Sequence, residues 1–399
     1  MSGENPSPPN DLEGRIRTLA EQRTAEWIAL RRDLHAHPEL AFAEHRTAQR
    51  VSQTLTALGI PHRCGVGQTG VVGVIDSGRP GPTLLIRADM DALPIEERTG
   101  LPFASRSPGL MHACGHDIHT VTLLGTAALL KELSPAWRGR AVLVFQPAEE
   151  TLAGAKAMIE AGLLEETRPD AALGFHNHPT LPVGRFGYAQ GAALAASDRF
   201  TLTLRGRSGH AAHPHLAVDP IVAAAHFITA AQSFVAREVN PLEPAVVTVG
   251  AIAGGTVHNI IPDEVVLRGT VRTLSAAVRD QAEAALRRLA GEIGAAFRVT
   301  PDLFYERLVP PLRNHPALEP VVERALCAQF GAPPEVMPPS MGSEDFALFT
   351  ERVPGFQLRI GSGAPGRHDH LHSSEYQPGE TCIPLGVQAL VRIACEFLS

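Results

Sequence analysis

Long hydrophobic runs are absent from this sequence, although 44% of its 399 residues are hydrophobic. No run is long enough to cross a bilayer, so the sequence predicts no transmembrane helix and no membrane partner. Residues 1–10 (MSGENPSPPN) are polar and proline-rich, and they lack the charged start and the apolar core of a secretory signal. We expect these residues to be disordered and the protein to be cytoplasmic.

Cysteines and clusters of basic residues are also scarce. The five cysteines are odd in number and widely scattered, which argues against a framework of disulfide bonds. The formal net charge is −7, and no basic patch is interleaved with aromatic residues. Both features argue against a nucleic-acid partner. The composition is that of an ordinary globular protein, and the length suits about two to three domains.

Short apolar runs alternate with helical segments over much of the chain. The runs with the length of buried strands include residues 83–87, 141–145, 171–175 and 356–360. This alternation predicts an α/β domain with a mostly parallel sheet. The loops at the carboxyl ends of such strands form the active site, so residues that are distant in sequence converge there.

Residues 189–312 have a different pattern. Their predicted elements follow the order β-α-β-β-α-β, which is the ferredoxin-like arrangement. We predict that this segment is a separate domain inserted into the first one. The first, catalytic domain would then comprise residues 11–188 and 313–399.

The densest chemistry lies in residues 111–119, with the sequence MHACGHDIH. A helix is predicted over residues 121–133, with Asp117 as its N-cap and with Cys114 and His116 in the turn before it. Such a position stabilises a thiolate, and a Cys-x-His pair can place sulfur and nitrogen on one cation. The alternative is a histidine-rich helix start in which Cys114 is a small buried hydrophobe. The neighbouring His116 and acidic residues elsewhere favour a metal site.

Metal-ligand side chains recur at the ends of the predicted strands. Together with the helix start, they supply Cys114, His116, one or both of Glu149 and Glu150, His176 and His372. Sulfur, imidazole and carboxylate ligands suit zinc, manganese, cobalt or nickel rather than calcium or magnesium. The set exceeds the needs of one tetrahedral ion, and it suits two ions about 3.5–4 Å apart that share Cys114.

The adjacent residues Glu149 and Glu150 offer two roles. Adjacent side chains point in different directions, so one carboxylate can bind metal while the other takes a proton from water. Such pairs are also common at solvated helix starts. Here the pair directly follows an apolar strand, which favours a functional role. A metal ion lowers the pKa of bound water from 15.7 to about 7, and amide hydrolysis is the natural consequence.

Eight motifs occur in the order found in one enzyme family. They are RADMDALP (87–94), MHACGHDIH (111–119), FQPAEE (145–150), GFHNHP (174–179), SGHAAHPH (208–215), HNIIPDE (258–264), MGSEDFA (341–347) and LHSSEY (371–376). The chain resembles the metal-dependent amidohydrolases that include hippurate hydrolase, bacterial N-acyl-amino-acid aminoacylases and plant auxin-conjugate hydrolases. These are relatives of the zinc carboxypeptidases. The carboxypeptidase branch carries His-x-Asp at the position of Asp89-Met90-Asp91, so the cysteine-containing branch fits better.

The resemblance implies roles for residues of the first domain. The ligands of a two-metal centre would be Cys114, His116, Glu150, His176 and His372. Glu149 would be the general base. Asp89 and Asp91 would support the ligands, whereas His119 and His178 could be supporting groups or have no role.

The resemblance also implies that the inserted domain is a lid and a dimerisation surface. His210 would complete the site of the neighbouring subunit and polarise the carbonyl of the scissile bond. Asn259 and Arg272 would hold the substrate, and Arg272 suits a bidentate grip on an α-carboxylate.

We therefore expect a metal-dependent enzyme that cleaves N-acyl-amino acids into a carboxylic acid and an amino acid. Its partners would be this small-molecule substrate and further copies of the chain, in a homodimer or a homotetramer. Two alternatives stay open. One is a dipeptidase or carboxypeptidase on the same scaffold, and the other is a metal-containing binding protein that has lost its chemistry. Glu149 beside intact ligands argues against the binding protein, which needs no general base.

Overall fold

The computed structural model of the protein describes residues 11–364, 366–367 and 370–399. The segment predicted to be disordered, residues 1–10, lies outside this part of the chain. None of the helices in the described part combines the length and the apolar character that a membrane span requires. The chain divides into two compact units. The first comprises Met1–Gly191, Arg313–Pro338 and Leu348–Ser399, and the second comprises Ala192–Leu312 and Pro339–Ala347.

Helices and strands alternate in the chain. The elements up to Tyr188 are α1 (Leu12–His35), α2 (His45–Ala57), β1 (His62–Val66), β2 (Gly70–Asp76), β3 (Thr83–Asp89), α3 (His116–Glu132), β4 (Arg140–Gln146), α4 (Gly154–Glu160), α5 (Leu163–Thr167), β5 (Ala171–Pro182) and β6 (Phe186–Tyr188). They are followed by β7 (Ala192–Leu194), β8 (Ala196–Arg205), β9 (Gly209–His210), α6 (Pro220–Ser233), β10 (Ala245–Gly254), β11 (Ile260–Ile261), β12 (Glu264–Thr273), α7 (Ala276–Phe297) and β13 (Thr300–Val309). The last elements are β14 (Leu312–Arg313), α8 (Glu319–Phe330), β15 (Glu335–Val336), α9 (Ala347–Thr350), β16 (Gly355–Gly363) and α10 (Cys382–Phe397). Short 3-10 turns occur at Ser134–Ala136 and Pro214–Leu216, and a π-helical turn occurs at Phe234–Glu238.

The first unit is built on an eight-stranded sheet with the order β1-β2-β4-β3-β5-β16-β6-β15. The central strands β4, β3, β5 and β16 are parallel, whereas β2 and β6 flank them in the antiparallel direction. In the register of this centre, Ile86 lies opposite both Leu143 and Leu173. The predicted α/β fold with a large, mostly parallel sheet is therefore confirmed.

Helix α3 lies in the core of the first unit. All its residues from His116 to Leu130 are buried, because apolar side chains surround the helix instead of forming one face. These side chains share a hydrophobic core with α1, α10 and the sheet. The N-terminus of α3 is consequently held at a fixed place beside the carboxyl ends of the parallel strands.

The start of α3 differs from the prediction. The helix begins at His116 rather than at residue 121, and its N-cap is Gly115 rather than Asp117. Gly115 has a φ of 86°, in the left-handed region that glycine adopts without strain. The side chain of Asp117 is instead buried against Arg31 and His35.

The second unit contains an antiparallel sheet with the order β10-β12-β8-β13. Along the chain, its strands and the helices α6 and α7 follow the order β-α-β-β-α-β. Apolar side chains of both helices pack with the sheet in a second core, which includes Phe200, Phe227 and Leu286. Asp219 caps α6 by accepting hydrogen bonds from the amides of its first turn.

Residues Pro339–Ala347 belong to the second unit, although the sequence assigned residues 313–399 as a whole to the first. The amide of Ala195 donates to the carbonyl of Gly342 at 2.8 Å, and the amide of Ser340 donates to the carbonyl of Ala193 at 3.0 Å. Backbone hydrogen bonds between distant segments have no sequence signature, so the sequence could not indicate that residues 339–347 associate with the second unit.

Candidate metal centre

The turn before α3 presents the first two predicted ligands. The Sγ atom of Cys114 lies 3.5 Å from Nε2 of His176. Between Cys114 and His116, a β-carbon at position 115 would lie 2.4 Å from Nδ2 of Asn177. Both this close approach and the positive φ require glycine at position 115.

His116 is oriented by a carboxylate. Its Nδ1 atom lies 3.2 Å from Oδ1 of Asp91, and its Nε2 atom has no hydrogen-bond partner in the described part of the chain. The other oxygen of Asp91 accepts a hydrogen bond from the amide of Glu150 at 3.0 Å. One carboxylate therefore positions both a histidine and the backbone of a predicted carboxylate ligand.

His176 lies within β5, which extends to Pro182 instead of ending at residue 175 as predicted. Its Nδ1 atom donates to the carbonyl of Asn177 at 2.7 Å, so Nε2 keeps its lone pair and faces Cys114. Burial lowers the pKa of His176 well below its ordinary value. The ring is therefore neutral, which is the form that binds metal ions.

Glu149 and Glu150 follow β4, in the turn before α4. The Oε1 atom of Glu150 lies 3.5 Å from Nε2 of His372, and Oε2 of Glu149 lies 3.9 Å from Nε2 of His116. The amide of His372 donates to the carbonyl of Ala113 at 2.9 Å. This bond holds the His372 segment against the turn that carries the other ligands.

The predicted ligands converge in overlapping groups. The ligand atoms of Cys114, His116 and His176 lie within 4.8 Å of one another. The same holds for Cys114, Glu150 and His372, and for His116, Glu149 and Glu150. Cys114 is the residue that the first two groups share.

Comparison with known proteins agrees with this geometry. A sequence profile of peptidase family M20/M25/M40 matches residues 85–396. The chain belongs to this family. It is 44% identical over 346 residues to N-acetyl-L-cysteine deacetylase from Bacillus subtilis, which covers 86% of this chain and 82% of the relative. It is 37% identical over 379 residues to thermostable carboxypeptidase 1 from Saccharolobus solfataricus, which covers 93% of this chain and 95% of the relative.

A solved structure extends the comparison. The YXEP protein of Bacillus subtilis, a dinuclear metal-binding peptidase of the M20 family, matches with a TM-score of 0.84 and 34% identity, over 95% of this chain and 99% of that one. The predicted resemblance and the predicted enzyme class are confirmed. This M20 protein is a hydrolase that acts on amide bonds.

The side chains of the M20 site fit divalent cations. Nε2 of His116 and Oε1 of Glu150 are buried and have no hydrogen-bond partner among the described residues. Buried polar atoms without partners cost free energy, and a cation between them removes that cost. Sulfur, imidazole and carboxylate together are the ligands that zinc and the later first-row metals accept.

The ligand side chains influence one another's protonation. Burial raises the pKa of the Cys114 thiol, and contacts with Cys114 and Glu150 raise the pKa of His372 to about 10. A coordinating cysteine has to be a thiolate, so a cation bound at Cys114 would release a proton.

Asn177 contacts the predicted ligands of this M20 site, and the sequence analysis assigned no role to it. Its Nδ2 atom donates to the carbonyl of Cys114 at 2.6 Å and lies 2.8 Å from Nε2 of His119. His119 Nδ1 in turn donates to Asp89 at 2.5 Å. Both ring nitrogens of His119 thus have partners, although the ligand atoms of Asp89, His116 and His119 also lie within 4.8 Å of one another. The position of Asn177 between His176 and another histidine was its only sequence signal.

A buried ionic cluster behind α3 was also missed. The Oδ2 atom of Asp117 lies 2.8 Å from Nε of Arg31 and 2.8 Å from Nδ1 of His35. Both partners belong to α1, so the cluster ties the first turn of α3 to that helix. No local pattern in α1 distinguishes a buried arginine from a solvated one.

The predicted substrate-binding residues lie in the second unit. The amide of Ala211, next to His210, donates to the carbonyl of Asn259 at 3.0 Å, so the structure brings the backbones of His210 and Asn259 together. Arg272 lies on β12, and its Nη1 atom donates to the hydroxyl oxygen of Ser343. Ser343 belongs to the segment that joins the second unit from the C-terminal part of the chain.

Proposed function

We propose that this M20 enzyme hydrolyses the amide bond of N-acyl-amino acids and releases a carboxylic acid and an amino acid. The convergence of Cys114, His116, Glu150, His176 and His372, with Glu149 beside them, is the observation that carries the proposal. The similarity to an N-acetyl-L-cysteine deacetylase supports the same substrate class. Residence in the cytoplasm stays a prediction of the sequence.

We assign two divalent ions to the overlapping ligand groups. Cys114 is shared, His116 and His176 complete one set, and Glu150 and His372 complete the other. The donor types admit zinc, manganese, cobalt or nickel. When bound, the ions make a coordinated water more acidic and draw electron density from the carbonyl oxygen of the substrate.

Glu149 moves the proton in this mechanism. As the water oxygen bonds to the carbonyl carbon, the water proton passes to the carboxylate of Glu149 and then to the amide nitrogen. The C–N bond breaks, the amino acid leaves, and Glu149 returns to its starting charge. Glu150 is the poorer base because its carboxylate contacts His372 and belongs to the group of Cys114.

The residues of the second unit are proposed to bind the substrate. Arg272 pairs with the α-carboxylate through two parallel N–H···O bonds, and Asn259 holds the amide. His210 completes the site of the partner subunit and stabilises the oxyanion that forms there. The second unit is thus proposed to be both a lid and a dimerisation surface.

The two edges of the second sheet support a dimer. β13 carries Asp302, Glu306 and Arg307, and charges of this kind protect a strand edge from pairing. β10 is the opposite edge, and its ten residues AVVTVGAIAG carry no charge. An uncharged edge of this length suits pairing with a second copy of itself, in a homodimer or within a homotetramer.

A carboxypeptidase or dipeptidase is the second candidate. The relative from Saccharolobus solfataricus, a thermostable carboxypeptidase, favours it because the match covers almost the whole chain. Both candidates use the same ions and the same base, and they differ in whether the acyl group is itself an amino acid. Assays with N-acetyl amino acids and dipeptides side by side separate them.

The first experiment joins metal content to turnover. Plasma mass spectrometry on the purified protein is paired with hydrolysis of N-acetyl and N-benzoyl amino acids, before and after chelation. About two ions per chain and chelator-sensitive release of amino acid support the proposal. If the protein binds two ions but hydrolyses only dipeptides, the peptidase is favoured. If it binds no metal even after reloading, the proposed metal site at Cys114 is contradicted.

A further inference from the structure

One buried arginine differs from the others. Arg31, Arg87 and Arg279 are buried, and their closest carboxylate oxygens lie at 2.8, 2.6 and 2.5 Å. Arg359 on β16 is only 7% exposed, yet none of the carboxylates in the described part of the chain forms an ion pair with it. A buried cation without an anionic partner is unfavourable. An anionic ligand beside Arg359 would remove that cost.

The guanidinium of Arg359 has hydrogen-bond donors to spare. Its Nη1 atom donates to the carbonyl of Pro338 at 3.1 Å. The residue paired with Arg359 on β6 is Gly187. Glycine has no β-carbon, so it places no side-chain atom beside the methylene groups of Arg359. A guanidinium has five N–H donors in a planar fork, and most of them stay available to a ligand. The ligand that matches this fork is a carboxylate, which accepts two parallel hydrogen bonds.

The sheet register places Arg359 beside the candidate metal centre. Arg359 is the partner of His176 in the parallel pairing of β16 with β5, and Gly361 is the partner of His178. Paired residues, and alternate residues of one strand, lie on the same face of a sheet. Arg359 therefore shares a face with His176 and with the half-buried His178. Nδ1 of His178 lies 3.0 Å from Oγ1 of Thr180, which leaves its Nε2 atom for a ligand.

We propose that Arg359, together with His178, binds a second carboxylate of the substrate, in addition to the α-carboxylate assigned to Arg272. This inference rests on the proposed function and narrows its substrates to N-acyl-amino acids with two carboxylates. The second carboxylate comes from the acyl group, as in N-succinyl amino acids, or from the amino-acid side chain, as in N-acetyl-L-glutamate. Both sources present the same planar anion to the guanidinium.

Matched pairs of substrates test the inference with the metal-loaded enzyme. N-succinyl-L-alanine is compared with N-succinamoyl-L-alanine, and N-acetyl-L-glutamate with N-acetyl-L-glutamine. We expect the acid of one pair to exceed its amide in kcat/KM by about 10- to 100-fold, the usual value of a charge-assisted pair. The pair that shows this preference identifies which end of the substrate carries the carboxylate. Equal values within both pairs would overturn the inference.

Variants at position 359 assign the preference to the guanidinium. Arg359→Met should abolish the preference for the acid, and Arg359→Lys should keep part of it because the charge remains. The matched control is Arg185→Met, in the turn between β5 and β6, where an exposed arginine pairs with Glu335. This control should keep the full preference. A preference that survives Arg359→Met would refute the assignment.

A binding measurement separates this inference from the proposed function. Calorimetric titration of Glu149→Gln protein with the two acids needs no turnover, and the further change Arg359→Met should weaken binding about 10- to 100-fold. If no N-acyl-amino acid is hydrolysed, the proposed function fails while Arg359-dependent binding still supports an anion site. Binding that does not depend on Arg359 overturns the anion site.

Thermal unfolding distinguishes two roles of Arg359. It either binds a ligand or only stabilises the fold through its hydrogen bond to the carbonyl of Pro338. Replacing a buried, unpaired cation by methionine removes a desolvation cost, so Arg359→Met should keep or raise Tm in the absence of ligand. The acids should raise Tm for the natural protein but not for the variant. A lower Tm together with an unchanged preference for the acid would show a structural role and overturn the inference.

Discussion

At the scale of single residues, Glu149 differs from Glu150 in what surrounds its carboxylate. Both carboxylates lie 3.9 Å from Nε2 of His116, and that of Glu150 also lies 3.5 Å from Nε2 of His372. We predict that Glu149→Gln keeps the metal content of the natural protein. It should lower kcat by about 10²- to 10⁴-fold, because an amide cannot accept the proton of water. Steady-state kinetics and metal analysis on the same preparation check both parts.

The control for this change is Glu160→Gln, at an exposed glutamate in α4 near the same turn. It should leave both kcat and metal content unaltered. A fully metallated Glu149→Gln protein with unchanged kcat would eliminate Glu149 as the base.

Asn177 is the residue whose loss should weaken metal binding without removing a ligand. Its Nδ2 atom donates to the carbonyl of Cys114, and it also contacts His119. We predict that Asn177→Ala lowers metal affinity about 10- to 100-fold, because groups behind the ligands set ligand orientation. At saturating metal, kcat should fall much less than affinity. Competitive titration with a chelator measures the affinity.

Asn314 provides the matched control for a lost buried amide. Its Nδ2 atom donates to the carbonyl of Ala189 at 2.9 Å, outside the ligand groups. Asn314→Ala should lower Tm but leave metal affinity unaltered. Equal losses of affinity in both variants would mean that Asn177 acts only through general stability.

At the scale of elements, the tie between α1 and α3 should make stability depend on pH. Burial disfavours the charged form of His35, but Asp117 outweighs this effect and raises the pKa of His35 above its ordinary value. A raised pKa contributes stability that is complete below about pH 6.5 and is lost as pH rises through the folded-state pKa. The free energy of unfolding should therefore decline faster with rising pH in the natural protein than in His35→Gln. The difference in slope is at most about 1.4 kcal/mol per pH unit.

Urea denaturation between pH 6 and pH 9, at constant metal concentration, measures these slopes. His226→Gln, at an exposed histidine in α6, should keep the slope of the natural protein. Identical slopes for the natural protein and His35→Gln would mean that His35 stays neutral in the fold.

Much of the first unit was predictable because its central strands are short apolar runs that end in polar motifs. Parallel pairing brings such ends to one edge, and there the ligand atoms of Glu150 and of His176 each lie within 4.8 Å of the Cys114 sulfur. The start of α3 was not predictable from helical periodicity, since it depends on Gly115 and on the fit against Asn177. Contacts between distant segments, such as those of Pro339–Ala347, leave no local pattern at all.

At the scale of the whole molecule, the uncharged edge strand β10 should control assembly. Ile252 on this strand is 55% exposed. We predict that Ile252→Lys raises the dissociation constant of the dimer by at least about 100-fold, because symmetry would bury a lysine from each copy without a partner. Light scattering coupled to size-exclusion chromatography, over a dilution series, measures the change.

The control lies on the opposite edge of the same sheet. Phe304 on β13 is 62% exposed, so Phe304→Lys adds the same charge to an already charged edge. It should leave assembly unaltered. Dissociation by Phe304→Lys and not by Ile252→Lys would move the interface to the other edge.

The proposed role of His210 in the partner's site can be tested by mixing two inactive proteins. Glu149→Gln retains His210, and His210→Ala retains Glu149, so a mixed dimer contains one site with both residues. Co-refolded or co-expressed variants should recover about a quarter of the natural activity per chain, because random pairing makes half of the dimers mixed and completes one of their two sites. If His210 instead acted within its own chain, both sites of the mixed dimer would lack one residue and no activity would return. Recovery should also disappear when both chains carry Ile252→Lys, since it depends on the interface and not on either chain alone.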